Sequence, residues 1–122
     1  MADEVQKKLQ KEFEIYNNLK KEYHKAVALK QQLDSQLNEN KAVKEELALL
    51  KKDSEVFKLI GPVLVKQDLE EARQNVSKRM EYINKEIKRC DGNISALENK
   101  QEAVHENLNK LKSNLEHLKI SA

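Results

Sequence analysis

Apolar side chains recur at alternating intervals of four and three residues through both ends of the chain. The mean spacing of about 3.5 residues is the heptad period of a left-handed coiled coil, and it predicts helices over residues 3–52 and 67–120. Polar side chains interrupt this register at Glu12, Lys30, Asn40, Lys44, Arg73 and Gln101. The apolar positions are Val5, Leu9, Tyr16, Leu19, Tyr23, Ala26, Leu33, Leu37, Leu47, Leu69, Val76, Met80, Ile83, Ile87, Cys90, Ile94, Leu97, Val104, Leu108, Leu111, Leu115 and Leu118.

Between the two helical patterns lie two short apolar runs separated by Gly61 and Pro62. Glycine can adopt the positive φ of a two-residue turn, so a β-hairpin is predicted over residues 55–66. The apolar faces of this hairpin need packing partners, and its strand edges need hydrogen-bond partners. No other strand is apparent in the sequence, so we expect other chains to provide both by closing a β-barrel between subunits. The predicted oligomerisation residues are Val56, Phe57, Leu59, Ile60, Val63, Leu64 and Val65.

A reversing hairpin between helices of similar length predicts that they pair antiparallel, with Val5 near Leu115 and Leu9 near Leu111. The fold class is therefore mostly α, in which one domain forms a long two-helix coiled coil around a central hairpin. Gly92 lies in a turn-like Asp-Gly-Asn sequence, but the heptad phase continues across it. We therefore place Gly92 inside the second helix, and leave open whether it bends that helix.

Composition and charge narrow the possible functions. The chain is 36% charged, but 23 basic and 21 acidic residues are interspersed and give a net charge of only +2, which argues against a nucleic-acid partner. No signal-peptide pattern is present, and no apolar run approaches the roughly 18 residues of a membrane span, so we expect a cytoplasmic protein without a membrane partner.

Candidate catalytic chemistry is sparse in this sequence. His24, His105 and His117 lack metal-ligand spacing, and Cys90 occupies a heptad position where a buried thiol is expected. No glycine-rich phosphate loop occurs. We therefore expect no enzyme activity, no metal and no cofactor.

Three segments carry a family resemblance: residues 46–50, the run Val56–Leu69, and Lys78–Ile83. Together they resemble the β-type subunits of the prefoldin family. The resemblance implies a hetero-hexamer of two α-type and four β-type subunits whose hairpins form a double β-barrel. It also implies ATP-independent capture of unfolded proteins, actin and tubulin among them, and their delivery to the cytosolic chaperonin. The implied partners are thus other prefoldin subunits, unfolded clients and that chaperonin.

The resemblance further implies that clients bind near the free ends of the helices, where fraying would expose apolar side chains. By position, the candidate client-binding residues are Val5, Leu9, Phe13, Leu111, Leu115, Leu118 and Ile120. Phe13 and Ile120 lie off the heptad register and are the better candidates. The other five are equally explained as ordinary heptad residues.

Two alternatives remain at this stage. A structural coiled-coil protein could dimerise through its helices without binding clients, but that leaves the apolar hairpin unexplained. A coiled-coil arm that binds RNA would need basic residues clustered on one face, which the even charge mixture does not provide.

Overall fold

The computed structural model describes the backbone of residues 1–121 and the side chains through Ile120. Helix α1 spans Ala2–Leu49, strands β1 and β2 span Val56–Ile60 and Val63–Gln67, and helix α2 spans Leu69–Ser121. The strands form a two-stranded antiparallel sheet. The predicted fold class of two long helices around a central hairpin is confirmed.

The chain divides into two compact units. Met1–Leu29 and the segment from Cys90 onward form the terminal unit, and Lys30–Arg89 form the hairpin unit. In the terminal unit, α1 and α2 pack antiparallel: the Cys90 thiol donates a hydrogen bond to the Ala26 carbonyl at 3.2 Å, and the rings of Tyr16 and His105 lie 6.2 Å apart. The seam is buried at Ala26, Cys90, Leu97 and Leu108.

The hairpin unit has its own core, in which the end of α1 meets the beginning of α2. Its buried members are Leu47, Leu69, Ala72 and Val76, and Val56 of the hairpin packs against them. Farther along α2, Ile83 is also buried. The heptad register therefore marks the residues that the two helices cover within a single chain.

Most of the polar interruptions occupy the seam as the register requires. Glu12, Lys30, Asn40 and Gln101 are half-buried, and the Asn40 side-chain amide donates to the Gln36 carbonyl at 2.8 Å, so it is satisfied by its own helix. Lys44 is the exception, because it is exposed. The next register residue, Leu47, is buried again.

Helix α2 continues through Gly92, as the unbroken heptad phase predicted. Gly92 does not have a positive φ, and a Cβ atom built there would meet nothing within 4 Å. The glycine is therefore required neither by a turn nor by a close contact.

The helix ends at the hairpin differ from the predicted boundaries for local reasons. Helix α1 stops at Leu49 rather than residue 52, because a turn follows in which the Ser54 N–H donates to the Lys51 carbonyl at 2.9 Å. Helix α2 begins at Leu69 rather than residue 67, because Gln67 still pairs with Val56 in the sheet.

Candidate functional site

The hairpin has the geometry of a tight two-residue turn. Ile60 pairs with Val63 across the sheet, and the register continues to the pair Val56 and Gln67. Gly61 has a φ of 58°, and the ring of Pro62 holds the φ of that residue at about −65°. This sign pattern is that of a type II′ turn, whose twist matches the strands it joins. The predicted role of Gly61 is confirmed.

Side chains alternate between the two faces of this sheet. The register places Val56, Lys58 and Ile60 of β1 on the same face as Val63, Val65 and Gln67 of β2, and the opposite face carries Phe57, Leu59, Leu64 and Lys66. Each face is therefore apolar apart from one lysine and, on the first face, Gln67.

The helices cover very little of this apolar surface. Six of the seven predicted oligomerisation residues are between 43% and 68% exposed: Phe57, Leu59, Ile60, Val63, Leu64 and Val65. Only Val56 reaches the core of the hairpin unit. Within the described residues the strands pair only with each other, so the outer N–H and C=O groups of both have no strand partner. An apolar patch with two open edges is an interaction surface.

Arg73 fixes the junction between α1 and the hairpin, a role that the sequence did not reveal. Its Nε donates to the Leu47 carbonyl at 3.1 Å, and its Nη2 donates to the carbonyls of Leu47 at 2.9 Å and Leu50 at 3.3 Å. The Leu47 carbonyl lies in the last turn of α1, where carbonyls lack donors within the helix, and Leu50 follows the helix directly. The Leu47 carbonyl also accepts the Leu50 N–H at 3.4 Å. Arg73 is thus a C-terminal cap supplied by the facing helix.

One sequence signal could have pointed to this cap. The last turn of α1 contains no basic residue, although a cation is favourable at a helix C-terminus. Arg73 is one of two polar breaks in the register of α2, and it lies at the position facing that end. The two observations together are typical of a cap provided from a neighbouring helix.

Asp68 fixes the other side of the junction. Its Oδ2 accepts a hydrogen bond from the Glu71 N–H at 3.2 Å, and its carbonyl accepts one from the Ala72 N–H at 2.9 Å. An aspartate whose side-chain oxygen accepts a backbone N–H of the first turn is an N-cap of the helix. Both helices are therefore fixed where the hairpin joins them.

The candidate client-binding residues all lie in the terminal unit, in two environments. Phe13 is 47% exposed and Ile120 is 85% exposed. Ile15, which was not among the candidates, is 46% exposed and offers similar apolar surface. The remaining candidates are half-buried in the seam: Val5, Leu9, Leu111, Leu115 and Leu118.

The described part of the chain contains neither a helix fit to span a membrane nor a cluster of metal ligands. None of its helices combines the length and apolar character needed to cross a bilayer. Its His, Cys, Asp and Glu side chains form no group of three or more that could hold a metal ion.

Comparison with known proteins decides the family. The family profile described as "Prefoldin subunit" matches residues 3–115. This chain belongs to the prefoldin family. It is 51% identical to prefoldin subunit 6 of Mus musculus over 111 residues, covering 91% of this chain and 87% of the mouse protein. It is 42% identical to prefoldin subunit 6 of Arabidopsis thaliana, covering 93% and 88% of the two chains.

A solved prefoldin structure has the same fold. The crystal structure of the prefoldin beta subunit from Thermococcus strain KS-1 matches with a TM-score of 0.57 over 91% of each chain, at 21% sequence identity. Together with the family match and the identity to prefoldin subunit 6, this shared fold confirms the resemblance to the β-type subunits inferred from residues 46–50, 56–69 and 78–83. The chain is a subunit of the prefoldin class of co-chaperones.

Proposed function

We propose that this chain is a β-type subunit of a hetero-hexameric co-chaperone that works without ATP in the cytoplasm. Its hairpin joins those of α-type and β-type prefoldin subunits in an intersubunit β-barrel. The free ends of its helices capture unfolded proteins, actin and tubulin among them, for delivery to the cytosolic chaperonin. The single observation that carries the proposal is the uncovered apolar hairpin with two open edges.

Assembly through the hairpin would pair its open strand edges and bury its exposed apolar surface at the same time. Neighbouring strands would provide partners for the outer N–H and C=O groups of β1 and β2, and closure of a barrel removes the remaining edges. A barrel interior would also cover one of the apolar faces. An isolated two-stranded sheet in water is marginal, so the assembled state is the stable one.

The burial of the seams supports this proposal over dimerisation through the helices. Ala26, Leu97 and Leu108 in the terminal unit, and Leu47 and Val76 in the hairpin unit, are all at most 8% exposed within a single chain. The apolar stripes that a structural coiled-coil dimer would use are already covered by the chain's own helices. Six exposed large apolar side chains instead lie together on the hairpin.

The assembly proposal is tested by the double variant Leu59→Asp and Val63→Asp. Both side chains lie more than half exposed on the hairpin, so the carboxylates should prevent strand association without disturbing the helices. We expect loss of the hetero-oligomer in native mass spectrometry and nearly unchanged helical circular dichroism. Leu29→Asp, a change at a 49% exposed leucine of α1, is the control. Unimpaired assembly of the hairpin variant would contradict the proposal.

The client proposal rests on the exposed apolar side chains of the terminal unit. Phe13 and Ile120 do not support the seam, so replacing both with serine should leave complex size unchanged and weaken suppression of actin aggregation. Tyr82→Ser, at a 64% exposed aromatic residue of the hairpin unit, is the control. Suppression equal to that of the unmodified complex would remove Phe13 and Ile120 from the client site.

The seam candidates need a different test, because they also hold the helices together. Val5, Leu9, Leu111, Leu115 and Leu118 would contact clients only when the helix ends fray. Hydrogen exchange of the terminal segments, measured with and without unfolded actin, distinguishes the two roles. Altered protection of these segments on client binding supports direct participation, whereas unchanged protection leaves them as seam residues alone.

A further inference from the structure

A groove of about 200 Å³ lies in the hairpin unit, where β1 and the end of β2 meet the two helices. Its apolar floor includes the buried side chains of Leu47 and Val76 and the half-buried side chain of Val56. Val43 and Phe57 line it as well and remain 43% and 50% exposed. The groove is therefore apolar at its base and open to solvent.

The polar groups around the groove are all cations or amides. Lys58 and Arg79 are exposed, Gln67 and Asn75 are half-buried, and no acidic residue of the described chain lines the groove. None of these four side chains has a hydrogen-bond or ion-pair partner among the described residues. By contrast, the nearby cations Lys66 and Arg73 are paired with Glu55 and Glu70.

We infer that this groove receives a segment of a neighbouring, different prefoldin subunit in which an aspartate or glutamate is flanked by apolar residues. The inference rests on the proposed assembly through the hairpin, because the groove shares Val56, Phe57 and Lys58 with that surface. It adds the chemistry that the neighbouring subunit must present.

The requirement for a carboxylate follows from desolvation. When a neighbour covers the groove, Lys58 and Arg79 lose water, and a cation covered by protein is destabilising unless it is paired and hydrogen-bonded. A carboxylate can accept two parallel N–H groups from the Arg79 guanidinium. The side-chain amides of Gln67 and Asn75 can form hydrogen bonds with the neighbour's backbone. The apolar side chains that flank the neighbour's carboxylate can pack on the apolar floor of the groove.

A second copy of this chain does not offer that chemistry from its hairpin. The charged residues within its strands are Lys58 and Lys66, and neither strand contains an acidic residue. Of the acidic residues that directly flank the strands, Glu55 lies 3.7 Å from Lys66 of its own chain, and Asp68 caps α2. Like charges brought together across an interface oppose association, so the groove selects a different subunit.

The test uses the full chain assembled with the other prefoldin subunits. Lys58→Glu and Arg79→Glu together reverse the charge of the groove, whereas Lys78→Glu and Lys85→Glu make the same net change on α2 outside it. We expect the groove variant to raise the concentration for half-assembly by at least ~10-fold, and the control by less than ~2-fold. Circular dichroism of both variants checks that the helices persist.

A zero-length carbodiimide cross-link identifies the occupant. The reagent joins the Lys58 amine to an adjacent carboxylate as an amide with loss of water, and peptide mass spectrometry identifies the acidic residue. Lys58→Arg should keep assembly and lose this cross-link. Changing the identified acid to lysine should restore assembly of the groove variant. A cross-link from Lys58 to a second copy of this chain would overturn the inference.

The outcomes separate the groove from the proposed function. If the Leu59→Asp and Val63→Asp variant fails to assemble while the groove variant assembles like the control, the groove inference is wrong and the hairpin proposal stands. If the hairpin variant assembles normally, the proposed function itself fails. Reduced assembly of both the hairpin variant and the groove variant, with normal assembly of the Lys78→Glu and Lys85→Glu control and rescue of the groove variant by the charge-swapped neighbour, supports the inference.

Discussion

Arg73→Ala should loosen the attachment of the hairpin to α1. The guanidinium donates to the carbonyls of Leu47 and Leu50, at distances from 2.9 to 3.3 Å. A hydrogen bond with one charged partner contributes about 1.5–3 kcal/mol. The Arg73 side chain is 34% exposed, so in the variant water can replace part of the hydrogen bonding that the two carbonyls lose. We therefore expect the free energy of unfolding to fall by roughly 2 kcal/mol, including the loss of a cation at a helix C-terminus.

The ion pair between Arg73 and Glu70 adds little to this value. Their closest atoms are 2.8 Å apart, but Glu70 is 70% exposed, and exposed pairs contribute at most about 1 kcal/mol. Arg89→Ala supplies the matched control, since Arg89 forms a similar pair with Glu86 at 3.2 Å, is 79% exposed and caps no helix. The control should change stability by less than about 0.5 kcal/mol.

Two measurements assess this prediction. Urea unfolding followed by circular dichroism gives the change in stability, and hydrogen exchange of residues 44–52 reports whether the loss is local to the end of α1. Arg73→Lys keeps the cation but cannot present the planar guanidinium to two carbonyls, so it should recover only part of the loss. An Arg73→Ala variant as stable as Arg89→Ala, with unchanged exchange, would refute the capping role.

The two glycines should respond to alanine in opposite directions. Gly92→Ala fills open space inside α2 and should stabilise the chain by about 1 kcal/mol, seen as a higher melting temperature; a lower one would mean that α2 needs Gly92. Gly61→Ala also meets no atom, but φ of 58° is unfavourable for alanine, so it should destabilise the hairpin by about 1 kcal/mol. Unchanged thermal stability of the assembled complex would contradict the assigned turn.

Much of the fold could be predicted because the apolar heptad positions correspond to the side chains that pack between the two helices. Apart from Lys44, the residues at register positions are the ones that the facing helix covers, including the polar Glu12 and Gln101. The hairpin was equally accessible, since Gly61 is the residue that its turn geometry demands. Both inferences depend on side chains close together in sequence.

The missing features depend on contacts that sequence spacing does not encode. Arg73 appeared only as a break in the register, whereas its hydrogen-bond acceptors Leu47 and Leu50 lie far from it along the chain. The groove around Lys58 and Arg79 likewise joins a strand to a helix face. The client-binding residues were placed by position alone, and they stay a prediction.

The most direct test of the account is the native mass of the chain, measured alone and after co-expression with α-type and other β-type prefoldin subunits. We predict a discrete hexamer that contains one or more copies of this chain and that forms only with those partners. A self-contained dimer that ignores the partners would contradict it, and would leave the exposed side chains from Phe57 to Val65 without a function.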